Sequence, residues 1–409
     1  MNRTGIAAIA ALALIGGACG APAGPVSPVA KSSPAPGTPG SPTPATPTST
    51  NNSFDVLPPA GPLSAASVAR LSGITCSGAI GGSDPVAVVT LHTGAEVLRD
   101  YSDPAHPRTV CNFPIASYFG IDLIDAHHIL ISGNEAYLYA VVDLPSLQYR
   151  WFQLPNPLNE FPTLLAVSPA LDAVAYLTPD LTNNTDKIHI VTKSGDRVVA
   201  ALTNPHGGRC GSPEDSMSGA YTHSGKHLFV LDQPFPTLNS LLVLQDDQTQ
   251  LLLTPPGQLP PGGWAQGTQP AMAVWSPTSE TLYYRKDSGV WRWTAGAGAT
   301  SFLPGVNWYY PTISADGNHL AYSVVRADGL HNVYLVDLAH GGSPQLIGKG
   351  TRNLPVFLSS TQLWYRSEAQ GICGPGGNAP LIYDLADGSE APSIIDFVGS
   401  VWPATSSNF

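Results

Sequence analysis

Residues 311–348 read PTISADGNHLAYSVVRADGLHNVYLVDLAHGGSPQLIG, and this stretch decides the fold. Pro311–Ser314 is short and extended. Ala315-Asp316-Gly317-Asn318 follows as a turn, because Gly accepts positive φ at no steric cost and Asp bonds its own backbone. Leu320, Tyr322 and Val324 alternate with Ala321, Ser323 and Val325, the period of a strand. Asn332–Leu338 is a third apolar run, His340-Gly341-Gly342 a second turn, and Pro344–Ile347 a fourth strand. The stretch is thus predicted to be four short strands joined by tight turns.

The same unit recurs on either side. Ser168–Tyr176 (SPALDAVAY), Thr222–Val230 (THSGKHLFV), Ser276–Tyr284 (SPTSETLYY) and Ser314–Tyr322 (SADGNHLAY) align without gaps. Pro355–Tyr365 and Asp122–Ile131 are looser copies, and Pro85–Tyr101 with Leu71–Gly78 before it is a partial first copy. Most copies are followed by a second strand-turn-strand, such as KIHIVTKSGDRVVAAL (187–202) and APLIYDLADGSEAPSII (379–395). Strands apolar on both faces must be covered by other sheets, and radial repetition does this while leaving only short edges. Repeats of this size with four strands each predict an all-β chain, a β-propeller of four-stranded blades. Seven blades are expected, with six or eight as alternatives. Ser400–Ser406 (SVWPATS) reads as a lone first strand that closes the ring by joining the Leu71–Tyr101 blade.

The repeat resembles the WD40-like, TolB-type propeller repeat, whose mark is Pro-x-x-Ser-x-Asp-Gly before an apolar strand ending in Tyr or Phe. Pro311, Ser314, Asp316, Gly317 and Tyr322 carry that mark intact. The resemblance implies a propeller that binds a partner or ligand and performs no chemistry of its own.

Composition supports this class and excludes others. Gly (41) and Pro (40) are each about a tenth of the chain and charged residues only 11%, a turn-rich profile. The net charge is −11, and the chain after residue 60 keeps that sign, so it lacks the positive footprint of a nucleic-acid binder.

Met1–Cys19 has the layout of an export signal: Arg3, then an apolar run over Ile6–Ile15 too short to span a membrane. Gly16-Gly17-Ala18-Cys19 resembles the lipobox of bacterial lipoproteins, with Gly16 where that family usually carries Leu. The resemblance implies lipidation at Cys19 and a membrane-anchored protein of the cell envelope, facing outside the cytoplasm. Residues 20–60 read as a Pro/Ser/Thr-rich linker, with 11 Pro among residues 21–60, and 61–409 as the propeller domain.

Setting Cys19 aside, Cys76, Cys111, Cys210 and Cys373 remain, none in a Cys-x-x-Cys pair, which in an exported chain favours two disulfides. Three pairings are open. Cys76–Cys111 is favoured because the two flank one blade, leaving Cys210–Cys373 to tie two long Gly-rich loops.

Strand polarity places the chemistry. In a four-stranded antiparallel blade, turns after the first and third strands share one face, and connections after the second and fourth share the other. The short turns fall in the first class and the long segments in the second, so one face carries nearly all the elaboration, and function on rigid scaffolds concentrates in such loops. On that face Trp264, Asn307, Trp308, Tyr309 and Tyr310 suit stacking on a flat ligand, a sugar or a peptide, and Arg209, Arg326, Asp328 and His331 supply charge. Glu214 and Asp215 add acidic groups there.

No Gly-x-Ser-x-Gly elbow, His-Glu-x-x-His or phosphate-binding loop occurs. His127-His128 reads as turn polarity. Asp180, Asn183, Asn184 and Asp186 form an oxygen-rich loop without the Glu and Gly of an EF-hand. Neither a metal nor a cofactor is expected. The expected partner is a protein, peptide or glycan of the cell envelope. Two other roles stay open: a propeller hydrolase or lyase acting on envelope polysaccharide or peptide, and a structural module of an envelope complex.

Overall fold

The hydroxyl at the head of each repeat is what folds the strand back. The backbone N–H groups of Ser168, Thr222, Ser276 and Ser314 donate to the carbonyls of Ala173, His227, Thr281 and His319, five residues on. The side-chain oxygens of Ser168, Thr222 and Ser314 accept the reciprocal N–H of the same residues at 3.0, 3.2 and 2.9 Å. The fourth residue of the turn is left-handed: Gly225 and Gly317 at φ 74°, and Leu171 at φ 57°. Only Gly takes that conformation without a steric cost. The Leu171 turn therefore forms because the hydroxyl clasp and the burial of Leu171 hold it.

The computed structural model describes residues 48–49, 54, 56–57, 65–114, 120–132, 138–155, 162–180, 182–183, 185–203, 216–233, 240–245, 248–251, 273–286, 289–368, 379–403 and 405–406. Within them the strands make an all-β propeller of four-stranded blades. Six blades are meanders of four consecutive strands. Blade 1 runs from Ile121–Leu123 to Gln148–Gln153, blade 2 from Thr163–Val167 to Gly195–Thr203, and blade 3 from Ser216–Tyr221 to Gln248–Leu251. Blade 4 runs from Ala273–Trp275 to Gly298–Pro304, blade 5 from Trp308–Ile313 to Gln345–Ile347, and blade 6 from Arg352–Phe357 to Glu390–Pro392.

The seventh sheet is composite. Ile395–Trp402 pairs antiparallel with Val86–Leu91, which continues into Glu96–Asp100 and Arg108–Phe113. Ile395–Trp402 thus supplies the innermost strand of the sheet that begins the ring; of the lone strand expected over Ser400–Ser406 only Ser400–Trp402 belongs to it, and Thr405–Ser406 pairs elsewhere. Thr75–Cys76 is the outermost strand of this sheet, and Cys76 sits directly opposite Cys111, to which it is disulfide-bonded. Cys210 and Cys373 lie outside the described residues, as does Cys19.

The core lies between blades. Val174, Tyr176 and Val191 of blade 2 pack on Leu130, Val141 and Phe152 of blade 1, and the other neighbours repeat this arrangement. Phe54, Val56 and Leu57, at the end of the stretch that reads as linker, are buried in that same cluster, and Arg150 donates to the Leu57 carbonyl at 2.7 Å. Thr48–Ser49 adds in parallel to the outer edge of Gln148–Gln153, which covers an otherwise open strand edge. Ala65–Ser72 is a short helix, and among the described residues no helix is long and apolar enough to cross a membrane.

Candidate functional site at the seam of blades 5 and 6

The strand order reproduces the two-faced arrangement. Connections after the first and third strands of each blade are short, and the second and fourth strands end at the opposite face, where connections such as 304–308 and 347–352 are equally short. The site is at that face, where blade 5 meets blade 6.

It starts from two matched irregularities. The first strands of blades 5 and 6 each break register at their third residue, between Tyr309 and Thr312 and between Asn353 and Val356. Tyr310 and Leu354 sit there at φ 50° and 56°, each followed by Pro. A left-handed non-Gly residue costs roughly 1–2 kcal/mol, and such bulges re-aim neighbouring side chains. One result is that the period of two fails across Trp308-Tyr309-Tyr310.

Trp308 is fully buried and packs on Tyr322 with ring centroids 5.8 Å apart, inside the blade 4–5 core. The expectation that Trp308 stacks on a ligand is corrected by this burial: its ring has no face left. Tyr309 is also largely buried. The Arg285 guanidinium of blade 4 lies 5.5 Å over its ring and donates to Asn307 Oδ1 at 2.9 Å, with Asn307 itself exposed. Burial pulls the Arg285 pKa below its ordinary value. Tyr310 is half-buried. Burial first, then the neighbouring Tyr309 and Glu368, raise its phenol pKa, so it stays protonated through the neutral range.

Glu368 is the hub. It follows the second strand of blade 6 and is pinned by its backbone: its N–H donates to the Thr351 carbonyl at 3.1 Å, and Thr351 Oγ1 donates to the Glu368 carbonyl at 2.6 Å. Its carboxylate then accepts the His331 N–H at 2.6 Å, His331 Nδ1–H at 3.0 Å and Asn353 Nδ2–H at 2.9 Å. A carboxylate only accepts, so Nδ1 carries a hydrogen, and in the neutral tautomer this selects Nε2 is the acceptor. Tyr309 meets the His331 ring edge-on at 5.9 Å. Arg326 and Asp328 pair with each other at 3.0 Å in the hairpin tip that leads to His331.

Of the residues singled out from sequence, the structure brings together Asn307, Tyr309, Tyr310 and His331. Arg326 and Asp328 stand on the same hairpin. Trp264, Arg209, Glu214 and Asp215 lie outside the described residues. Glu368, Asn353, Thr351 and Arg285 are added by the structure. No local pattern marks them, because their convergence depends on blades 4, 5 and 6 being neighbours.

Two polar clusters that the sequence singled out are closed on themselves. Asp125 caps the His127 and His128 N–H groups and binds His128 Nδ1 at 2.8 Å, so that histidine pair is turn chemistry. Asp180 takes the Thr182 and Asn183 N–H groups and Lys187 Nζ. Among the described residues no group of three or more His, Cys, Asp or Glu is placed to hold a metal ion.

No family model matches the chain, and no curated protein matches it. Solved structures do. TolB from Acinetobacter baumannii is 14% identical, with 82% of this chain and 69% of that one covered and a TM-score of 0.38. An oligogalacturonate lyase in complex with manganese is 12% identical over 75% of this chain and 83% of that one, at a TM-score of 0.44. A Mycobacterium tuberculosis puromycin-hydrolyzing peptidase is 12% identical over 85% of this chain, which spans 56% of that one, also at 0.44. The chain's own strand order makes it a β-propeller of four-stranded blades.

Proposed function

We propose that this chain is an extracytoplasmic, lipid-anchored β-propeller that binds a ligand or protein partner through its loop-rich face, without catalysis. The observation that carries the binding half is the blade 5–6 seam. There two strained bulges, a pinned carboxylate and a histidine whose Nε2 has no partner among the described residues converge beside Tyr310 and the exposed Asn307. Backbone strain and a pre-set polar frame are what a binding site invests in. The ligand class is a peptide or a glycan of the envelope, since amides, phenols and imidazole bond such groups while the rings cover their apolar faces.

The address rests on the apolar segment before Cys19 and the Pro-rich stretch after it. A diacylated Cys anchors more firmly than a single chain.

A second reading has one observation in its favour. Glu368 holding His331 Nδ1, with no partner on Nε2 among the described residues, is how a general base is oriented, which a hydrolase or lyase of the same ligands would use.

Two measurements test the proposal. Cys19→Ala releases the protein into the medium or blocks its processing, and unchanged membrane retention overturns the anchor. Wild-type protein on glycan and envelope-peptide arrays gives hits that His331→Ala and Asn353→Ala lose. Hits kept by both variants move the site elsewhere, and turnover of a hit by the wild type replaces binding with catalysis.

A further inference from the structure

The strand Thr405–Ser406 is not where chain order would put it. It follows Ile395–Trp402, the innermost strand of the closing sheet, yet it pairs antiparallel with Ala273–Trp275, the first strand of blade 4. Ser406 faces Val274, and Thr405 faces Trp275. Blades 5 and 6 separate the closing sheet from blade 4 on one side, and blades 1, 2 and 3 on the other, so this short run joins two sheets that are not neighbours in the ring.

A second attachment lies on this run. The Trp402 ring is 4.8 Å from the ring of His223, in the first turn of blade 3, and Pro403 is buried beside it. That turn is itself tied to blade 4, through His227 Nδ1 on Glu280 Oε2 at 2.6 Å. First strands end at the short-turn face, so Trp402, the His223 turn and Trp275 share that face. The strap that these attachments define therefore lies on the face opposite the seam of blades 5 and 6.

The inner edge of a first strand presents unpaired N–H and C=O groups to the channel. Among the described residues, Ala273–Trp275 is the one first strand with another strand added on that edge, and all three of its side chains are fully buried. The strand that fills it is two residues long and comes from a distant blade. Elements held by so few contacts open at the low end of the local stability range. We propose that the inner edge of Ala273–Trp275 is an acceptor for an extended peptide strand, with Thr405–Ser406 as its resident, displaceable occupant.

Strand addition draws affinity from main-chain bonds and specificity from alternate side chains. The resident places a Thr opposite Trp275 and a Ser opposite Val274, so the peptide that fits is uncharged, extended and small or hydroxyl-bearing at those two positions. This site is separate from the seam and goes beyond the binding role proposed for it.

The test uses a fluorescent peptide with the sequence of residues 403–409, PATSSNF, added to two forms of the protein: the full chain and the chain lacking residues 404–409. The shortened chain binds the peptide with an affinity at least about tenfold above that of the full chain. The full chain carrying Thr405→Pro, which cannot keep the ladder N–H, behaves like the shortened one. Circular dichroism and thermal melts establish that each form is folded, and the point variant stands in if the shortened chain is not. Absence of peptide binding to a folded, strap-free form overturns the proposal. So does equal binding to the full chain, because the edge would then not be the site.

Discussion

His331 Nδ1 lies 3.0 Å from Glu368 Oε1, and this bond staples the third strand of blade 5 to the end of the second strand of blade 6. The pair is mostly shielded, with side-chain exposures of 17% and 15%, so removing one partner leaves the other poorly solvated and without its compensating bond. Glu368 also holds Asn353 and the His331 N–H. Glu368→Ala therefore leaves two side-chain donors and one backbone donor without an acceptor. A destabilisation of about 2–3 kcal/mol is expected, read as a lower urea midpoint at unchanged m-value. Glu368→Gln, which keeps one acceptor oxygen, loses less. Equal losses for the two variants would show that shape, not the hydrogen bonds, carries the seam.

A second inter-strand pair sets an acid limit on stability. Arg352 Nε and Nη2 donate to the two oxygens of Glu390 at 2.6 and 3.0 Å, and the Tyr365 hydroxyl donates to Oε1 at 2.7 Å. Burial pushes the Glu390 pKa up, but the bonds from Arg352 and Tyr365 outweigh it, and the net shift is downward. A carboxyl whose folded pKa is depressed adds stability that is full above its unfolded value and is lost as pH falls through the folded one. The loss accordingly begins as pH drops below about 4.5, the ordinary Glu value. Glu390→Gln should cost about 3 kcal/mol near neutrality, since it leaves a nearly buried guanidinium facing a neutral group. It should also flatten the acid limb of a stability–pH curve. An acid limb of wild-type steepness in the variant would assign that limb to other carboxylates.

These two pairs show what a sequence of this kind reveals and what it hides. The turn from Ser314 to His319 was readable because its whole geometry is local: a hydroxyl, a left-handed residue and a return strand within six positions. The ring closure is readable in part: Ser400–Ser406 reads as a lone first strand, but the strand that closes the ring starts at Ile395 and ends at Trp402. Thr405–Ser406, in the same SVWPATS run, pairs instead with blade 4, and nothing in its own residues distinguishes it from the strand it follows. Glu368 was invisible because its partners are 15 and 37 residues away on different strands. Trp308 reads from sequence as part of a long connection at the loop-rich face, whereas the first strand of blade 5 already begins at Trp308 and its ring is buried between blades.

The disulfide gives a prediction with two readouts. Cys76 and Cys111 close a loop with a sequence separation of 35 and fasten Thr75–Cys76 to the rim of the closing sheet. Reducing it, or Cys111→Ser, should cost roughly 2–4 kcal/mol through the freed unfolded chain. The loss should appear first as faster proteolysis before residue 80, because this bridge and a two-residue strand hold that edge. Non-reducing peptide mapping should recover Cys76 with Cys111, and Cys210 with Cys373. A Cys111–Cys210 peptide would contradict both pairings.

The repeated turn supplies the last prediction, because three copies solve the same geometry with different residues. Gly317 and Leu171 hold equivalent places at φ 74° and 57°. A Cβ on Gly317 would fall within 3.3 Å of three atoms of Thr278, in the first turn of blade 4, so the position is closed sterically as well as conformationally. Gly317→Ala should therefore cost more than the roughly 1–2 kcal/mol of left-handed strain alone, since Thr278 must also move. Leu171 carries the same strain but is buried in the blade 1–2 cluster, where Leu burial is worth about 1.5–3 kcal/mol. Leu171→Gly removes the strain and the burial together, so a net loss of only about 1 kcal/mol is expected. Leu171→Ala keeps the strain and loses most of the burial, and should be the worse of the two. Thermal melts of the three variants decide the order. If Leu171→Ala proved more stable than Leu171→Gly, packing and not backbone strain would govern this turn, and the shared geometry of the repeats would have to be explained by the hydroxyl clasp alone.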